Sequence, residues 1–238
     1  FYFFSGEDTK MRKKPLHLLL RVLFALGILG LCGCAANSIY TVPIDYDAGD
    51  AVIPSYLEPS NRDLQSLIAV AEFTDKRQVD DPLVIGRVIE RNGLRVLVLP
   101  KTLPPTQAVS QGLRRYLRKA GYNVAGSTDP WDLQERNLPQ TVGRVLIGGS
   151  IDELDVICRR EWPTNAYSAK IRLTIYLADS QTRAILYRST VESMASLEHV
   201  LFSEERLGEQ AAAAIGAAIE KLFEKRELSQ HLKDALRR

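Results

Sequence analysis

From Lys170 to Leu177 the chain alternates strictly. Ile171, Leu173, Ile175 and Leu177 are apolar, and Lys170, Arg172, Thr174 and Tyr176 fall between them. A period of two sends alternate side chains to opposite faces, so this segment predicts a strand with one buried and one wet face. Asp179-Ser180-Gln181-Thr182 reads as a turn, and Ile185 to Val191 as the returning strand of a hairpin. Upstream, Arg144 to Val156, extending towards Arg160, predicts a long strand that ends in an exposed turn, Glu161-Trp162-Pro163-Thr164-Asn165. Leu67 to Phe73 is a continuous apolar run rich in branched residues and predicts a buried strand. Leu83 to Ile89 and Leu94 to Leu99 flank Glu90-Arg91-Asn92-Gly93. Asn-Gly between two apolar runs is a strong hairpin signal.

Two segments carry the helical period instead. After Leu103-Pro104-Pro105-Thr106, the residues Val109, Leu113, Tyr116, Leu117 and Ala120 recur at helical spacing, with Arg114, Arg115, Arg118 and Lys119 between them. Gly121 stands where a left-handed C-cap belongs, and Tyr122 to Ala125 then predicts a short strand. The second helix is expected over Ser203 to Glu227. Ser203 can cap it, Glu204 and Glu205 suit its positive end, and Leu207, Ala211, Ile215, Ala218, Ile219, Leu222 and Phe223 form one stripe. Gly126 to Gln140 is polar, with Pro130 and Pro139, and reads as a loop. Taken together, these elements predict an α+β fold: a two-layer sandwich of an antiparallel-rich sheet with two helices packed on one face.

The N-terminal part follows a different pattern. Met11-Arg12-Lys13-Lys14 is followed by Leu16 to Leu20, Arg21, and an apolar run from Val22 to Leu31. A basic region, an apolar region and small residues at a cut site make up the layout of an export signal. The run ends in Leu31-Cys32-Gly33-Cys34, which resembles the lipobox of bacterial lipoproteins. That resemblance implies cleavage between Gly33 and Cys34, lipid on the Cys34 sulfur and an acyl chain on its new amine. A membrane span would need about 20 apolar residues, and Val22 to Leu31 supplies ten. An ordinary cleaved signal also fits the basic and apolar regions but does not require Cys34. The expected organisation is residues upstream of Met11 plus signal over 1–33, lipidated Cys34 with an extended tether over 34–66, the α+β domain over 67–227 and a polar tail over 228–238, with an extension of the last helix as the alternative for the tail. The tether reading rests on Pro43, Pro54 and Pro59 among Asp45, Asp47 and Asp50. A weak Val42/Ile44/Tyr46 alternation leaves a short edge strand as the competing reading.

Composition changes the picture once the signal is removed. The whole chain has a net charge of +2, but the 205 residues from Cys34 onward hold 26 basic and 27 acidic ones. This balance argues against a nucleic-acid partner, which would call for a basic face. Cys32 leaves with the signal and Cys34 takes lipid, so Cys158 has no partner for a disulfide. It reads as a small apolar strand residue, with a thiol nucleophile beside Arg159 and Arg160 as the alternative.

Candidate chemistry is sparse. Asp75 and Arg77 read as a strand-end ion pair that orders the following loop, with a catalytic pair as the alternative. Asp152, Glu153 and Asp155 read as a solvated strand face rather than a carboxylate pair or a metal site. His17, His199 and His231 are too dispersed for a triad or a zinc cluster. Gly148-Gly149 predicts a bulge or a close backbone contact. No cofactor and no metal is expected beyond the covalent lipid on Cys34. The loops Tyr122 to Trp131 and Trp162 to Tyr167 place Trp131, Trp162 and Tyr167 as the candidate partner surface.

The succession Asp75-Lys76-Arg77, Gly86-Arg87-Val88, Arg91-Asn92-Gly93, Leu99-Pro100 and Ala120-Gly121-Tyr122-Asn123-Val124 resembles the uncharacterised YajG-type bacterial lipoproteins. Ile171 to Leu177, Ile185-Leu186-Tyr187 and the last helix fit the same order. The architecture is also similar to that of auxiliary lipoproteins of envelope ABC-type transporters. That family brings no established reaction with it, and the residues are read as a non-enzymatic, lipid-anchored binding or adaptor module facing the periplasm, with a periplasmic or envelope protein as partner; a lipid or small-molecule carrier, or an auxiliary subunit of an envelope transport system, is the alternative. In lipoproteins of this kind, Ala35 after the lipidated cysteine implies the outer membrane rather than the inner.

Overall fold

The computed structural model describes residues 39–126, 130–140 and 143–238. The predicted lipobox, Leu31, Cys32, Gly33 and Cys34, lies outside the described residues. Eight strands form one sheet: β1 (Ile39–Val42), β2 (Ile68–Val70), β3 (Thr74–Asp75), β4 (Gly86–Ile89), β5 (Arg95–Pro100), β6 (Val145–Arg160), β7 (Asn165–Asp179) and β8 (Ala184–His199). Their order is β1-β5-β4-β6-β7-β8, and β2 and β3 pair with β6 as well. Because β7 occupies one side of β6 along its whole length, β2, β3 and β4 share the other side in series. Among the described residues, three α-helices accompany the sheet: α1 (Pro105–Lys119), α2 (Glu204–Glu224) and α3 (Arg226–Arg237).

The α+β class is as expected, but the sheet is mixed rather than antiparallel-rich. β4–β5, β6–β7 and β7–β8 are antiparallel. β1–β5, β2–β6, β3–β6 and β4–β6 are parallel. Turn residues announce hairpins locally, whereas a parallel pair joins segments with a long crossover between them and leaves no local mark. β7 and β8 also run well past the stretch of strict alternation, to Asn165 and His199. The short strand expected at Tyr122 to Ala125 reduces to one bridge between Ile68 and Val124.

Alternate residues place the two sides of the sheet. Ile68, Val70, Val145, Ile147 and Leu177 join the main core with the helices. Their neighbours Ala69, Leu146 and Ala178 pack with Trp131, Leu133 and Leu138 in a second cluster. Helices therefore cover one face, and the loop over 130–140 covers part of the other. The expected stripe of α2 is fully buried, and Ser203 Oγ accepts its capping bond from Arg206 N at 3.4 Å. α1 ends as its sequence demands. Gly121, at φ 99°, donates to Arg118 O at 2.9 Å, and Tyr122 N donates to Leu117 O at 3.1 Å, the paired bonds that close a helix over a glycine.

Two boundaries need correction. The segment 34–66 is not an extended tether from Ile39 onward. β1 pairs with β5, and Val42, Ile44, Ala48 and Leu57 are buried in the core. Tyr46 lies against Gly112 of α1 and Gly216 of α2, where a Cβ would come within 3.2 Å and 2.5 Å of its ring. The polar tail over 228–238 is helical. Leu228, Leu232, Ala235 and Leu236 turn inward at spacings of four, three and one, and Ser66 Oγ donates to Leu236 O at 3.0 Å.

Candidate functional site

The residues singled out as chemistry are held by structural partners. Asp75 accepts from Arg77 Nη2 at 2.7 Å and Nε at 3.0 Å. The same guanidinium donates to Val84 O and Pro82 O, so the pair ties down the loop before β4. Burial opposes the charge on Asp75, but the bonds from Arg77 outweigh it and hold the carboxyl below its usual range. Asp152 sits at an irregularity in the β6–β7 register and accepts from Ser150 Oγ and Thr174 Oγ1. Glu153 pairs with Arg172 and Lys170, and Asp155 with Arg87 at 3.1 Å. No group of three metal-ligating side chains occurs among the described residues. Gly148 and Gly149 are close contacts: a Cβ would lie 2.6 Å from the Trp131 ring and 2.4 Å from that of Phe73.

Cys158 is fully buried on β6. Burial pushes its thiol up to about 12, against the pull of Arg160. The reactive species is the thiolate, so the nucleophile reading gives way to a packing role.

The three aromatic candidates separate. Trp131 is buried at the second cluster, its ring edge-on to Tyr176 at 6.1 Å, and its Nε1 donates to Gln134 O. Tyr167 is buried too; its hydroxyl donates to Leu201 O at 3.0 Å and accepts from Ser203 N at 2.9 Å. Neither belongs to a surface. Both sit on strands or loops whose far side is covered by chain distant in sequence, so local polarity was a poor guide. Trp162 alone is exposed, at 82%.

Trp162 stands at one end of the sheet, where three chain segments meet. The first is the β4–β5 turn, closed by Glu90 N to Leu94 O at 2.8 Å with Gly93 at φ 83°. The second is the β6–β7 turn that carries Trp162. The third is His199 to Phe202 after β8, fixed by Asn165 Nδ2 donating to His199 O and Val200 O. Two open depressions of about 480 Å³ and 280 Å³ run along this end, both lined by Glu90, Arg91 and Arg160. Tyr40 donates to Glu90 Oε1 at 2.9 Å, and Arg160 Nη1 to Glu90 Oε2 at 2.8 Å. The Arg160 guanidinium lies 4.8 Å from the Phe202 ring centre, and Phe202 packs against Tyr40 and Tyr167. Burial disfavours the charge on Arg160, but Glu90 more than restores it.

The rest of this end faces outward. Leu94, Val200 and Leu201 are 58%, 65% and 67% exposed, and Arg91, Arg95 and Arg159 are exposed without an ion pair among the described residues. An indole and aliphatic groups offer apolar surface, and guanidinium groups offer hydrogen-bond donors without an acceptor. Apart from Trp162, these residues were missed in the sequence. Val200-Leu201 carried a visible signal, an apolar pair between the end of a strand and the Ser203 cap.

No family model and no curated protein matches this sequence. Among solved structures, the chain is similar to protein XCC0632 from Xanthomonas campestris, of the DUF330 family, with 12% identity, 83% of this chain and 99% of that one covered, and a TM-score of 0.48. It is also similar to the PelC dodecamer from Paraburkholderia phytofirmans, with 12% identity, coverage of 65% and 86%, and a TM-score of 0.37. A further similar structure is lipoprotein GNA1162 from Neisseria meningitidis, with 11% identity, coverage of 64% and 96%, and a TM-score of 0.32.

Proposed function

We propose that this chain is a lipid-anchored envelope lipoprotein of the YajG type that acts without catalysis, as an adaptor for another envelope protein. In this reading the signal is removed after Gly33, Cys34 is lipidated, and Ala35 directs the protein to the outer membrane with its domain in the periplasm. The observation that carries it is Leu31-Cys32-Gly33-Cys34 placed directly behind a basic start and a ten-residue apolar run. The commitment of Asp75, Asp152, Glu153 and Asp155 to ion pairs and hydrogen bonds supports a binding role. The carrier alternative needs an apolar groove between helices and sheet. Tyr46 fills the space between α1 and α2, and Tyr116 stacks on Phe223 at 5.2 Å, so the adaptor reading is preferred.

Palmitate labelling of the expressed protein, beside a Cys34→Ser variant, tests the anchor. Label on the wild type alone, in fractions with the density of outer membrane, is the expected result. Soluble, unlabelled wild-type protein would overturn the anchor.

A further inference from the structure

The first described residue, Ile39, lies at the same end of the sheet as Trp162. Ile39 pairs with Leu97, two residues after Arg95, and Arg95 pairs with Ile89 where the β4–β5 turn closes. Ile89 in turn stands beside Arg159, just before the Trp162 turn. Five residue steps separate Cys34 from Ile39. A chain advances at most ~3.6 Å per residue, so those steps span no more than about 18 Å. A lipid on Cys34 therefore holds this end of the domain, and no other, next to the bilayer.

The same end is built for that position. Among the described residues, more than half of the exposed large apolar side chains cluster here: Ile39, Leu94, Leu97, Trp162, Val200 and Leu201. Indole is favoured at the boundary between acyl chains and headgroups, where its apolar body is buried and its N–H stays wet. Arg91, Arg95 and Arg159 surround the patch with free guanidinium groups, which match phosphate and can lay their stems along the apolar surface. Glu161 and Glu198 share the rim, so charge alone does not hold the patch down. The apolar groups supply the insertion, and the arginines bind phosphates at its edge.

We infer that the turn end of the sheet is a membrane-facing surface, in which Trp162, with Leu94, Val200 and Leu201, enters the interfacial layer of the phospholipid bilayer that holds the Cys34 anchor. This inference rests on the lipoprotein reading above.

The chain has only two tryptophans, and Trp131 is buried, so Trp162 is a built-in probe. Full-length protein is reconstituted into phosphatidylethanolamine–phosphatidylglycerol vesicles, with or without brominated acyl chains, and emission is read on the floated fraction. Brominated lipid is expected to remove about half of the total emission, because one of the two indoles lies at the interface. Trp162→Phe, which leaves only Trp131, should float equally and lose the quenching. Charge reversal at Arg91 and Arg159 should reduce the quenching without reducing flotation. Flotation with emission unchanged by brominated lipid overturns the membrane surface and leaves the anchor standing. Protection of Trp162 from an aqueous quencher without lipid quenching would mean that a protein covers it, and also overturns the proposal. Wild-type protein that does not float overturns the anchor and this inference together.

Discussion

Asp63 shows how a single buried charge can hold two distant parts of the chain. Its carboxylate is fully buried, yet it accepts from Ser60 N at 2.7 Å, Ser60 Oγ at 2.9 Å and Arg237 Nε at 2.8 Å. Burial opposes the charge, and the bonds from Arg237 and Ser60 overcome it, so the carboxyl sits below its usual range. Asp179, also fully buried, follows the same balance, with burial outweighed by the backbone N–H groups of Thr182 and Gln181 and by Arg144. A carboxyl whose folded pKa is depressed contributes stability that is present above its unfolded value, about 3.9, and lost as pH falls through the folded value. The urea midpoint should therefore stay flat from neutral pH down to about pH 5 and fall steeply below about pH 4. Asp63→Asn should cost about 1–3 kcal/mol at neutral pH, because it weakens the bonds that satisfy this buried side chain and leaves Arg237 without its counter-charge. It should also shallow the acid limb, and an acid limb identical to the wild type would remove Asp63 from it. The bonds from Ser60 are local, but nothing in the sequence announced the pairing with Arg237, which stands 174 positions away. By contrast, Asp75 and Arg77 are two positions apart, and their pairing was legible.

At the scale of elements, what the sequence disclosed depended on how local each signal was. The Asn92-Gly93 hairpin, the Gly121 stop and the Ser203 cap are properties of a few adjacent residues, and all three stand as read. β1 reads as tether in the sequence because Pro43 and the nearby aspartates outweigh a short alternation. Its stability comes from β5, more than fifty residues on. α3 holds Leu228, Leu232, Ala235 and Leu236 at helical spacing, but the charged residues between them gave the segment the look of a polar tail. The parallel junction of β4 with β6 is the least visible and the tightest. A Cβ on Gly86 would stand 1.8 Å from Val156 O, a contact with backbone that no rotamer can relieve. Gly86→Ala should push the two strands apart and cost about 3 kcal/mol, at the upper end of ordinary overpacking. Gly126→Ala, where nothing lies within 4 Å, should be near neutral. Chemical denaturation of the two variants beside the wild type compares them, and equal midpoints would show that the junction has slack.

For the whole molecule, the decisive quantity is the length of chain between anchor and fold. If Cys34 carries the proposed lipid, a tether of some thirty residues would let the domain wander tens of ångströms from the bilayer, whereas a path of five residue steps would hold one end against it. On that reading the early entry of Ile39 into the sheet bears on function, and it was hidden for the same reason as β1 itself. It also orients the rest. With the turn end against the proposed bilayer, the Asp179 turn at the other end of β7 and β8 would point away from it. β8, at the edge of the sheet, is blunted by Lys221 Nζ on Glu192 O at 3.0 Å and by Glu135 Oε1 on Ile185 N at 2.8 Å, which protects it from pairing with other chains. An insertion of about 20 Gly/Ser residues between Asn37 and Ser38 separates proximity from intrinsic affinity. Such a linker behaves as a flexible coil, and lengthening the path about fivefold lowers the effective concentration of the surface at the bilayer roughly tenfold. The patch holds one indole and a few aliphatic groups, with acids among its arginines, so its own affinity is weak. The inserted protein should still float with vesicles through Cys34, while quenching of Trp162 by brominated lipid falls well below the wild-type level. Undiminished quenching would mean that the surface binds membrane unaided and that the short tether adds nothing to its grip.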